Sequence, residues 1–338
     1  MPTVSIPGKD VQLFYTDSGI PNYQENYKTL ILIHGHTFHG AIFQKLLPLA
    51  PARSVRIFSI NRHEYPGSTP HTPEELNIYA SGTDEERTAL VKDAGINIAL
   101  AVDGIIQKYD LSGGSTALVG WSLGNTFLLA AMCAIMDLPL QSRERLRSVV
   151  KSFIMWDPPV MPLGMPLPPH SYMPLYDEKL TPAARASTFA TWVGSYFAHG
   201  DLSTRDLSQL GYHPTSKPGT FDHMPQEEHL SVVDLSVGDK CDTILTQEPF
   251  SAILTAQTNQ ALFDPVIRTA WNEPRVVNLY GAANAGFVYS AIWTLQDRLE
   301  AAAEKERVPI EFRCIEGANH FVMWDDPVLA LDELLRCT

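Results

Sequence analysis

Cysteine is scarce in this chain of 338 residues. The four present, Cys133, Cys241, Cys314 and Cys337, lie far apart, with no CxxC pair and no Cys/His spacing suited to a metal. A disulfide scaffold and a zinc module are both left without support. Basic residues are also few: 25 Lys plus Arg stand against 38 Asp plus Glu, a formal net charge of −13 at pH 7. A surface of that sign repels phosphate backbones, so no nucleic-acid partner is expected. Long apolar runs are missing too, none approaching the roughly 18 consecutive residues of a membrane span. The first residues, MPTVSIPGKDVQLFYTDSG, lack a basic stretch followed by an apolar one, and the chain has no N-x-[ST] sequon. The expectation is a cytoplasmic protein with reduced thiols and no membrane partner. What remains is ordinary globular material, 45% hydrophobic and 19% charged, which excludes a disordered chain.

Short apolar runs alternate with helical patterns from the N-terminus onward. Val4–Ile6 and Val11–Thr16, flanking Gly8-Lys9-Asp10, predict a hairpin. Leu30–His34 and Val55–Ile60 are continuous apolar runs, as expected of strands buried on both faces. A helix is expected over Ala41–Leu47, and a long one over Asp84–Tyr109 with Thr83 as its cap. Ala117–Gly120 and Val149–Trp156 predict further strands on either side of a helix at Leu123–Met136. The alternation then stops. Residues 158–174 hold seven of the 25 prolines and three of the nine methionines, a density that permits neither helix nor central strand. Short helices and loops are expected from Thr181 to about Ala270. Alternation resumes with strands at Val276–Tyr280 and Ile310–Ile315 and helices at Tyr289–Ala303 and Pro327–Arg336. The expected fold class is α/β, a mostly parallel sheet with helices on both faces. Its core is expected at residues 1–157 and 272–338, interrupted by a separate, mainly helical stretch at 158–271.

The most informative motif is Gly120-Trp121-Ser122-Leu123-Gly124, directly after one expected strand and directly before an apolar helix. In that context a G-x-S-x-G string exposes its serine on a sharp turn, and the N–H of the next residue faces any oxyanion formed there. A hydroxyl needs a base to take its proton. Of the eleven histidines, His320 in Gly317-Ala318-Asn319-His320-Phe321 follows the last expected strand, at the sheet edge where such folds gather their sites. A second oxyanion donor is expected from Leu32-Ile33-His34-Gly35-His36, with the N–H of His36 partnering that of Leu123. His34, His36 and His39 crowd one loop without carboxylates, so a structural role for His34 is preferred to a metal site. His213, Asp222, His223, Glu227 and His229 match no metal spacing and suggest a solvated loop.

Together the HG after the third strand, NRHEYPGSTP after the fourth, GWSLG and GANHF resemble the α/β-hydrolase superfamily. The resemblance covers the two core stretches, and the interruption at 158–271 falls where that family inserts its cap. It implies a serine hydrolase that needs no cofactor and no metal. Members with an aspartate nucleophile are disfavoured, because position 122 is serine. The family's acid usually follows the penultimate strand, yet VVNLYGAANAGFV places Asn284 there, and a neutral amide cannot stabilise an imidazolium as a carboxylate does. The other acid position implied by the family is the end of SFIMWDPPV, which is Asp157. Asp264, Asp325 and Asp326 are weaker rivals, the last two expected at the start of the final helix. The expected catalytic set is therefore Ser122, His320 and Asp157, acting on an ester, lactone, thioester or carbamate of a small, fairly apolar molecule. Alternatives are C–C bond cleavage, acyl transfer, or a slow ligand-binding homologue.

Overall fold

A computed structural model describes residues 2–21, 27–111, 114–302 and 309–338. Strands β1 (Thr3–Ser5) and β2 (Gln12–Asp17) pair as the expected hairpin. They extend a sheet with β3 (Lys28–Ile33), β4 (Val55–Ile60), β5 (Thr116–Trp121), β6 (Val150–Trp156), β7 (Arg275–Gly281) and β8 (Ile310–Ile315). The order is β1-β2-β4-β3-β5-β6-β7-β8, and every pairing from β4 to β8 is parallel. The apolar runs are explained by burial on both sides. On one face of the sheet Leu30 and Leu32 pack with Ala117 and Val119; on the other, Ile31 and Ile33 pack with Leu118. Chain order reverses at β3, which lies between β4 and β5, and the ends of β3 and β5 open there as a crevice.

Helices flank the sheet where the sequence allows. The helix α2 (Asp84–Tyr109) starts at a capping box in which Thr83 accepts from Glu86 N–H and Glu86 reaches back to the Thr83 N–H. The same device starts α1 (Pro73–Ser81) at Thr72, a helix the sequence reading leaves unassigned although Thr-Pro-Glu-Glu signals it. The helix α3 (Gly124–Ala134) follows β5, and α4 (Leu140–Val149) leads into β6. The helix expected over Ala41–Leu47 is replaced by 3₁₀ turns at Gly40–Phe43, Leu47–Leu49 and Pro51–Arg53. Pro48 and Pro51 keep any α-helix from continuing beyond Leu47, because proline has no amide hydrogen to donate.

Between β6 and β7 the proline-rich stretch forms only short 3₁₀ turns, at Met161–Leu163 and Pro174–Tyr176. Beyond it come α5 (Pro182–Trp192), α6 (Gln226–Val232), a π-helical turn at Gly238–Asp242, α7 (Glu248–Phe263) and α8 (Pro265–Ala270). This segment is seated on the core: the Gln257 amide donates to Thr126 O of α3 over 2.8 Å. The chain then returns to the sheet through α9 (Gly286–Ala301) and α10 (Pro327–Arg336). The expected end of α9 at Ala303 lies outside the described residues. No described helix is long and apolar enough to cross a membrane.

Candidate active site

Ser122 sits between β5 and α3 with φ of 55°, a left-handed conformation that costs a non-glycine residue energy and recurs at functional sites. The turn is held by its Ser122 N–H donating to Trp156 O over 2.9 Å and by Asn125 Nδ2 donating to Ser122 O over 2.8 Å. Its glycines are required by crowding. A Cβ on Gly124 would stand 2.3 Å from Ile33 O, and one on Gly35 would stand 2.8 Å from Ser122 Cβ.

His320 is buried at the end of the loop after β8, its ring tilted against Trp121 at 4.9 Å between centroids. The indole N–H of Trp121 donates to His320 O over 3.1 Å, so the residue beside the serine also fixes the histidine. The His320 Nδ1 lies 3.0 Å from Asn284 Oδ1 and 3.3 Å from Asp157 Oδ2. The other Asp157 oxygen accepts from Gly281 N–H and from the Asn284 amide, both at 2.9 Å. Asp157 is fully buried, and burial pushes its carboxyl above the ordinary value, opposed by His320 and by the Gly281 and Asn284 donors. It too has a left-handed backbone, φ 46°. The rivals are occupied elsewhere. Asp264 caps α8, Asp326 caps α10, and Asp325 accepts from Tyr196, Thr220 and Asn319.

Ser122 and His320 line one cavity of about 60 Å³, with His36, Leu123 and Asn284. The remaining wall is apolar, including Met161, Met173, Leu175, Phe189, Trp192 and Phe287. Among the described residues, neither the His36 N–H nor the Leu123 N–H donates to a protein acceptor, so two backbone donors are unspent at this cavity.

A model of the alpha/beta hydrolase family matches residues 30–333. The chain belongs to the alpha/beta hydrolase family. No curated protein sequence matches it. Its fold is similar to that of an esterase from Exiguobacterium antarcticum, 13% identical with a TM-score of 0.55 over 96% of this chain and 95% of that one. It is also similar to the N-acyl homoserine lactonase AidH (E219G mutant), 13% identical with a TM-score of 0.53 over 97% and 94%. A third is a bromoperoxidase from Bacillus anthracis, 15% identical with a TM-score of 0.51 over 99% and 98%.

In this alpha/beta hydrolase Ser122, His320, His36 and Leu123 line the cavity, Asp157 stands behind His320, and Asn284, Arg62, Tyr65 and Asp242 pack around them. Asn284 touches both His320 and Asp157, which a linear reading of the acid position does not reveal. Arg62 and Tyr65, inside the NRHEYPGSTP string, lie behind the His34–Thr37 loop and meet Asp242 of the helical segment. A partner 180 positions away leaves no local signal.

His34 acts structurally, its Nε2 accepting the Arg62 N–H over 3.0 Å. His36 is buried between Thr37 Oγ1 at 2.6 Å and Thr243 Oγ1 at 3.0 Å, and burial lowers it to about 4. The unfolded chain protonates this imidazole near pH 6.5 while the native site resists, so stability is lost as pH falls from there toward 4. The expected loss is on the order of 3 kcal/mol from this residue. Urea unfolding of His36→Gln at pH 7 and 4.5 is expected to show a smaller acid drop than wild type. An equal drop contradicts the assignment.

Proposed function

We propose that the protein is a serine hydrolase that cleaves an ester-type bond of a small, apolar molecule through an acyl-serine intermediate. Ser122 Oγ attacks the carbonyl, and His320, through the Nε2 left open by its Nδ1 contacts, takes the proton and returns it to the leaving group. Asp157 balances the imidazolium. The His36 and Leu123 amides hold the oxyanion, and water then releases the acid by the reverse sequence. The segment 158–271 serves as the cap, supplying Met161, Met173 and Trp192 to the cavity wall. The observation that carries the reading is the meeting of a strained serine, a histidine held by Asn284 and by the Trp121 indole, and two unspent amides at one apolar cavity.

Size narrows the substrate class. An engineered cavity of about 150 Å³ holds benzene, so about 60 Å³ suits an acyl group of only a few carbons. Met161 also borders a neighbouring cavity of about 370 Å³. On p-nitrophenyl esters graded from acetyl to decanoyl, wild-type kcat/KM is expected to peak among the shortest acyl groups. Met161→Ala joins the two spaces and is expected to move the peak to longer chains. A flat wild-type profile, or a peak at decanoyl, contradicts the small-acyl reading; no turnover on any ester, lactone or thioester contradicts the hydrolase reading itself. Side chains and backbone suffice for this chemistry, so EDTA is expected to leave turnover unchanged. Loss on chelation, restored by a divalent ion, is the opposite result.

A further inference from the structure

Behind the proposed oxyanion loop lies a charge pair that the mechanism above does not use. Arg62 Nη2 donates to Gly35 O over 2.9 Å, and its Nε reaches His34 O at 3.3 Å. Gly35 O receives a second donor. Because His34 Nε2 accepts the Arg62 N–H, the ring proton sits on Nδ1, which lies 3.0 Å from Gly35 O. Two donors thus converge on the carbonyl of one peptide unit, and the other end of that unit is the His36 N–H. Among the described residues no peptide bond is cis. In a trans unit the C=O and N–H point in opposite directions, so anchoring the carbonyl on Arg62 aims the N–H away from it. A cation on the carbonyl also polarises the amide and strengthens its N–H as a donor.

Arg62 is itself clamped. Asp242, in the π-helical turn of the helical segment, accepts from both guanidinium ends at 3.1 and 2.7 Å, and the two side chains are 4% and 1% exposed. Burial would raise the Asp242 carboxyl, but Arg62 outweighs it and holds the group down at about 2. Tyr65 completes the set, its hydroxyl donating to Asp242 over 2.6 Å while accepting the Thr37 N–H at 2.9 Å. Thr37 has φ of 67°, a true outlier for a β-branched residue, and such strain persists only where surroundings over-determine it. A buried ion pair is a weak source of net stability. Its alignment with one peptide unit at the cavity is better explained by aim.

We propose that Arg62, clamped by Asp242 and Tyr65, is a positioning residue that aims and polarises the His36 N–H as the oxyanion donor. This rests on the serine-hydrolase reading above. The test combines Arg62→Met with Asp242→Leu, removing both charges at little loss of volume, a change that buried pairs commonly tolerate. With a short-chain p-nitrophenyl ester, kcat is expected to fall about 10²-fold while KM stays nearly constant, the scale of one lost oxyanion donor. The inhibition constant of a short alkyl trifluoromethyl ketone, which Ser122 would convert to a tetrahedral oxyanion, is expected to rise by a similar factor. A pair that merely holds the segment down changes the melting temperature or KM and leaves both of those readouts alone, which overturns the proposal. If the double variant does not fold, Asp242→Asn and Tyr65→Phe decide by the same readouts: a kcat loss of about threefold or more supports the proposal, and a smaller one overturns it. A wild-type chain without turnover fails the serine-hydrolase reading, whereas an active wild type with unaffected variants fails only this one.

Discussion

Ser122→Ala is expected to lower kcat for ester hydrolysis by about 10⁴-fold or more, leaving only oxyanion and binding effects. The fold is expected to survive. The substitution removes one oxygen from a half-buried residue, while the elbow's backbone bond to Trp156 O and the Asn125 bond to Ser122 O remain. Both parts are measured together, as kcat on a short-chain ester and as the thermal midpoint followed by circular dichroism. A variant that unfolds at the wild-type midpoint yet keeps a tenth of the turnover removes Ser122 from the nucleophile role.

Asp157→Asn comes second, with an expected kcat loss of about 10³–10⁴-fold through a lost charge and a disturbed imidazole tautomer. The surroundings make this substitution harsh. The Gly281 N–H and the Asn284 amide both point donors at one oxygen, and a new amide there must turn its own NH2 toward a donor or toward His320. Asn284→Ala removes the 3.0 Å acceptor from Nδ1 but leaves Asp157 Oδ2 at 3.3 Å to take the proton. Its cost is expected near one neutral hydrogen bond, about tenfold in rate. Kinetics of the two variants at saturating substrate rank them. A mild Asp157→Asn beside a severe Asn284→Ala reverses the assignment and makes Asn284 the residue that orients the histidine.

The parts of this molecule that local chemistry dictates were legible in the chain. Continuous apolar runs such as Leu30–Ile33 announced strands covered on both faces, and Thr83 marked the start of α2. Gly120 and Gly124 around Ser122 announced a turn with no room for side chains. Where neighbours in space decide, the sequence was silent. Nothing local to Asn284 states that its amide donates to Asp157 while its oxygen meets His320. Nothing local to Arg62 names Asp242 as its partner. The 3₁₀ turns that replace the expected helix at Ala41–Leu47 carry no local signal beyond the prolines that follow at 48 and 51.

The central claim is that Ser122 is a nucleophile activated by His320, and a fluorophosphonate probe tests it most directly. With intact-mass and peptide-level mass spectrometry, the account predicts one adduct per chain, located on Ser122. It also predicts no adduct in Ser122→Ala and labelling slowed by orders of magnitude in His320→Ala, since the hydroxyl then lacks its base. An adduct on another residue, or labelling of Ser122 at the wild-type rate without His320, contradicts it.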